Sequence, residues 1–164
     1  MQNKDLELIK LSLFKDICNA TGVYRKTVSK EEKKNFDKNA IDIIKDLISK
    51  VDSNQIKNAD IRDAIKKLSE LSGFKDRVGS SQKVINVYLK YYCVVANKSE
   101  EIIKELDCPI DSRVRKEYRL EDISIKNMTF NDYTNYQNVI EARYKIRVIA
   151  DVYAYDEIKV NSKV

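Results

Sequence analysis

The sequence predicts an all-α fold, and three observations predict it. Glycine and proline are scarce, 3 and 1 in 164 residues, so little interrupts a helix. Apolar residues recur at spacings of three and four along most of the chain. Serine, threonine or aspartate repeatedly stands where such a stretch begins, as helix starts require. The expected arrangement is a compact bundle of six or seven helices around one strongly apolar helix at about 81–97. A single helical domain spans 1–164, with 1–72 and 73–164 as its candidate lobes.

Leu6, Ile9, Leu13 and Ile17 form one stripe, so about 3–19 reads as a first helix, stopped at Thr21 and Gly22. Ser29 followed by Glu32 is a capping box that opens a helix over about 30–51. Its inward face is Phe36, Ala40, Ile43, Ile44, Leu47 and Ile48. Ile61, Ala64, Ile65, Leu68 and Leu71 give a third helix over about 59–72, punctuated by Gly73. The stretch 74–80 reads as a connector carrying Gly79, with Ser80 or Ser81 capping the central helix. That helix is apolar nearly all round (Val84, Ile85, Val87, Tyr88, Leu89, Tyr91, Tyr92, Val94, Val95), which predicts burial. A short helix follows from Ser99 to about Leu106. Cys108-Pro109-Ile110 is a non-helical stop. Asp111 caps DSRVRKEY, and Thr129 with Asp132 opens a last long segment, 130–150. The tail VYAYDEIKV reads as a helix end, with a short strand as the alternative.

Composition excludes several function classes. The chain has no histidine, so Ser-His-Asp and Cys-His catalysis are ruled out, as is a Cys/His zinc site. Cys18, Cys93 and Cys108 match no metal spacing and read as reduced thiols. No run approaches the ~20 apolar residues of a membrane span, and the N-terminus lacks a signal-peptide apolar region. The expectation is a soluble cytoplasmic protein with no metal, no cofactor and no membrane partner. The net charge of +5 permits nucleic-acid contact without requiring it.

Two residues in the stretch 77–115 carry a candidate chemistry. Lys83 lies one turn into the apolar helix, and Asp111 follows the only proline. A lysine on a buried helix and an aspartate heading the next helix can face each other across a cleft. The same two residues also fit a solvated first-turn lysine and an ordinary N-cap.

The blocks VGSSQKVIN and PIDSRV resemble the helix-hairpin-helix DNA glycosylase superfamily, more closely its 8-oxoguanine glycosylase/lyase branch with the short archaeal-type enzymes. The resemblance implies a helix-hairpin-helix fold, DNA as partner and base-excision repair as activity. It implies Lys83 as nucleophile and Asp111 as its electrostatic partner. It also implies a phosphate-binding hairpin whose backbone spans Val78 to Gln82, with Gly79, Ser80 and Ser81 between them. Arg77, Arg113 and Arg115 flank this region as further DNA contacts. Tyr88, Tyr91 and Tyr92 are candidates to stack on a flipped base. The block QKVINVYLKYYC with CPID also looks like short uncharacterised bacterial or phage proteins.

The alternative function is a non-catalytic protein-interaction module, such as a small phage or mobile-element protein that binds a host or defence factor. Ten tyrosines and no tryptophan fit a tyrosine-rich partner surface. A glycosylase-like DNA binder without activity is the third reading.

Overall fold

Capping chemistry fixes where the helices begin. A computed structural model describes residues 12–18, 20, 29–71, 77–120 and 124–155. Residues 12–18 are helical (α1), and α2 spans Lys30–Asp52. The Ser29 hydroxyl accepts from Glu32 N–H, and the Glu32 carboxylate accepts from Ser29 N–H, so the predicted capping box forms. After α3 (Asn58–Glu70) and α4 (Val78–Val95) come α5 (Glu100–Glu105), α6 (Ser112–Tyr118), a 3-10 turn at Ile125–Asn127, α7 (Phe130–Glu141) and α8 (Ile149–Tyr155). The fold is all-α, and the described residues include no strand. Thr21, Gly22, Gly73 and the chain beyond Tyr155 lie outside the described residues.

Asn54 and Asn97 adopt left-handed backbone conformations just after α2 and α4. Asparagine tolerates that conformation, which lets helices end without glycine.

The core runs from Phe14 to Ala150 as one cluster. Helix α4 sits at its centre, packed against α3, α5, α7 and the 3-10 turn. Val84, Ile85, Tyr88, Leu89 and Cys93 are essentially buried. The C-terminal end of α4 departs from the expected all-round burial. Tyr91, Val94 and Val95 point outward, with Val95 84% exposed.

Two boundaries differ from the sequence expectation. Helix α4 begins at Val78, so Gly79 lies inside its first turn rather than in a connector, and neither Ser80 nor Ser81 is its cap. Gly79 is closely packed there. A Cβ built on Gly79 would overlap the Ile125 carbonyl oxygen and reach within 2.8 Å of its Cγ2. The second difference is a break in 130–150. Helix α7 ends at Glu141, and the chain turns before α8 starts at Ile149. The turn carries Arg147 inward, where its Nε donates to Asp107 Oδ1 at 2.8 Å. A buried carboxylate that needs a cation overrides the helical propensity of EARYKIR.

The non-helical segment 106–111 passes through this interior, and its backbone polar groups need partners. Side-chain amides supply them. Gln137 on α7 accepts from Cys108 N–H and donates back to its carbonyl, at 3.0 and 2.7 Å. Gln82 on α4 does the same for Ile110, at 3.0 and 2.6 Å. Asp107 receives Arg62, Arg147, Asn58 and Tyr133 on its two oxygens.

Candidate functional site

Lys83, Val87, Lys90 and Tyr91 fall on one stripe of α4 because helical residues four, seven and eight apart share a face. That stripe forms one wall of an open cleft of about 530 Å³. Pro109 and Asp111 form the second wall, and Asp151 and Val152 of α8 the third. Lys83 and Asp111 therefore line the same cleft.

Asp111 is 8% exposed. Its Oδ1 accepts from the N–H groups of Arg113 and Val114, both at 2.9 Å, which makes it the N-cap of α6. Lys83 is half-buried and has no ion-pair partner among the described residues. The other lysine of the cleft differs: Lys90 is bonded to Asp151, and its Nζ lies 5.1 Å from the centre of the Tyr91 ring. Among the described residues the cleft is lined by two cations and two carboxylates, and Lys90 is paired with Asp151.

The expected hairpin residues take other positions. Ser81 and Gln82 are fully buried, and Gly79 is roofed by Ile125. The N–H groups of Ser80 and Ser81 donate to the Arg77 carbonyl at 3.1 and 3.0 Å, inside the first turn of α4. This turn is packed rather than open, so the cradle that the resemblance implies over Val78–Gln82 is closed by the 3-10 turn. Arg77 and Arg115 are half-buried, whereas Arg113 is exposed at the start of α6.

The three tyrosines also separate. Tyr88 has no exposed surface. It meets Phe14 edge-on at 5.9 Å and stacks on Tyr92 at 6.1 Å. The Tyr92 hydroxyl donates to both carboxylate oxygens of Asp52, at 2.7 and 2.9 Å. Burial raises the phenol pKa of both above its ordinary value. Neither offers a ring face for a nucleobase. Tyr91, half exposed and in the cleft wall, does.

Sequence reasoning missed Lys90 and Asp151 as cleft residues. The four-residue step from Lys83 to Val87 and on to Tyr91 signals the α4 wall. Nothing local signals that α8 returns to it. It also missed Asp107, Gln137 and Asn86. Gln82 and Asn86, polar residues one turn apart in an apolar helix, are the signal of an internal network. Among the described residues no group of acidic or thiol side chains could hold a metal ion. No helix among them is long and apolar enough to cross a membrane. No known protein family matches the chain, and neither curated proteins nor solved structures give a match.

Proposed function

We propose that this protein is a DNA-binding helical module of the glycosylase/lyase type, with Lys83 as nucleophile and Asp111 as its charge partner. One observation carries the reading: Lys83 and Asp111, on different elements, line one open cleft. Its volume suits a nucleotide-sized ligand. Among the described residues Lys83 has no ion pair, and Tyr91 supplies an exposed ring in that cleft.

The chemistry requires a neutral amine. The Lys83 Nζ lone pair attacks C1′ of a damaged nucleotide. The Nζ–C1′ bond forms, the C1′–base bond breaks, and the base leaves with the bonding electrons and takes up a proton. Asp111 offsets the positive charge that develops on the sugar. Ring opening then gives an imine, from which elimination cleaves the strand. Arg113 and Arg77 provide phosphate contacts outside the cleft. Borohydride reduces the imine to a stable link. Incubation with DNA bearing an abasic site or 8-oxoguanine should therefore trap an adduct, which Lys83→Gln should abolish. An adduct that survives Lys83→Gln points to another amine, and no adduct with either substrate removes the enzymatic reading.

A second reading rests on a separate observation. Tyr91, Val94 and Val95 leave an apolar stripe exposed on the outer face of α4. Such a stripe suits a partner protein better than a phosphate backbone. No detectable binding to duplex or single-stranded DNA at low salt, where phosphate contacts are strongest, would favour this protein-interaction module.

A further inference from the structure

The residue directly before Lys83 is bonded to the residue directly before Asp111. Gln82 is fully buried. Its Oε1 accepts from Ile110 N–H at 3.0 Å, and its Nε2 donates to the Ile110 carbonyl at 2.6 Å. The same Nε2 donates to the Gly79 carbonyl at 3.0 Å, which ties the amide to the first turn of α4. Asn86, one turn further on, donates to Gln82 Oε1 at 3.3 Å and to the Tyr133 hydroxyl at 3.0 Å. The amide plane is therefore held from several sides, and its rotamer is not free to drift.

We infer that Gln82 is a positioning residue, a cross-brace that sets the separation of Lys83 and Asp111. The inference rests on the glycosylase/lyase reading of the cleft and assigns Gln82 a role other than direct DNA contact. The two partners of the pair sit on separate backbone elements. Lys83 lies near the start of α4, and Asp111 ends the non-helical segment 106–111. The Gln82 side chain spans the gap between these two backbones next to the pair, and Asn86 adds a longer bond from α4 to the Cys108 carbonyl at 3.4 Å. A nucleophile and its charge partner act together only when their spacing is held to a fraction of an ångström. Gln137 is the internal control. It makes the same pair of bonds to the same segment, at Cys108, but from α7, which lines no part of the cleft.

The test compares Gln82→Met with Gln137→Met in borohydride trapping on DNA containing an abasic site, at saturating DNA. Each change removes two bonds to segment 106–111. Gln82→Met should lower the rate of adduct formation about tenfold or more with the DNA Kd within about threefold of wild type, and Gln137→Met should keep the rate within about threefold. Equal losses in both variants would make the role merely structural and overturn the inference. So would a full rate in Gln82→Met. A wild type that traps nothing overturns the catalytic reading together with the role given to Gln82, and so differs from either result. Gln82→Glu covers a Gln82→Met variant that fails to fold. A protonated carboxyl keeps the acceptor and one of the amide's two donors, enough for the two bonds to Ile110, and a carboxylate has lost both donors. Its rate relative to wild type should climb toward one as pH falls from about 8 to about 5, because protonation restores the brace. A ratio that stays flat across that range also overturns the inference.

Discussion

Asp107 and Asp111 share one short segment and are both nearly sealed from solvent, yet their surroundings differ in kind. Asp107 is 1% exposed, and each of its oxygens is taken up by side chains reaching in from elsewhere in the fold. Arg62 and Arg147 neutralise it, while Asn58 and Tyr133 fill the remaining positions. Asp111 is held by backbone N–H groups of its own helix and borders an open cleft with two lysines in its wall. A carboxylate enclosed by four side-chain donors leaves no place for a ligand. A carboxylate that borders an open cleft stands where a ligand in that cleft would lie. The difference separates a residue enclosed by the fold from a residue at the edge of a cleft.

The first prediction is the largest and concerns the enclosed site. Asp107→Asn should destabilise the fold by about 3–5 kcal/mol, because it leaves two arginines facing a neutral group in a buried site. Urea unfolding measures it. A cost below about 1 kcal/mol would mean that the site is wetter than its geometry indicates and would erase the contrast with Asp111. Leu89→Ala should follow at about 2–5 kcal/mol. Leu89 is 1% exposed at the centre of α4 and carries no polar role. Its loss should leave a cavity but spare the cleft, so the two variants separate core packing from polar enclosure.

Alkaline pH should attack the enclosed region before the open one. Burial, followed by the negative charge of Asp107, raises the Tyr133 phenol well above its ordinary value. Burial pushes the Cys18 thiol up to about 12 and the Cys93 thiol up to about 11. A group with a raised folded-state pKa contributes its full stability below its unfolded pKa. That contribution is lost as pH rises toward the folded value. Free thiols titrate near 8.5 and phenols near 10. The urea midpoint should therefore stay level in neutral solution and fall as pH rises from about 9 toward about 12. A midpoint that holds through that range would contradict the burial of these groups.

Much of the fold was legible because local chemistry and tertiary packing agree there. The Ser29 and Thr129 boxes, the Asp111 cap and the inward faces of α2 and α3 follow from short-range pattern, and the structure forms all of them. The failures have one cause: long-range demands that local pattern does not carry. In the first turn of α4, Ile125, far along the chain, lies so close to Gly79 that no side chain fits there. The break after Glu141 is set by Asp107 drawing in Arg147. In the cleft, the spacing of Lys83 and Tyr91 was readable from the helical period. The burial of Tyr88 and the return of Asp151 depend on which neighbours pack where.

The smallest expected effects fall on the open site, and they sharpen the comparison most. Asp111→Ala removes the acceptor for two N–H groups of α6 and should cost about 1 kcal/mol, the usual value of a lost cap. Asp111→Asn should cost only a few tenths of a kcal/mol, because asparagine caps nearly as well as aspartate. Lys83→Gln should stay within about 0.5 kcal/mol, since Lys83 is half-buried with no ion pair to break. These three variants therefore fold, and their effect on adduct trapping reads chemistry rather than stability. On the proposed glycosylase/lyase reading, Asp111→Asn should slow base removal while DNA affinity holds, because it deletes charge that would act in the transition state and leaves the helix start intact. If Lys83→Gln or Asp111→Asn instead unfolds the protein as strongly as Asp107→Asn, the cleft is part of the structural core. The distinction between the two aspartates then disappears.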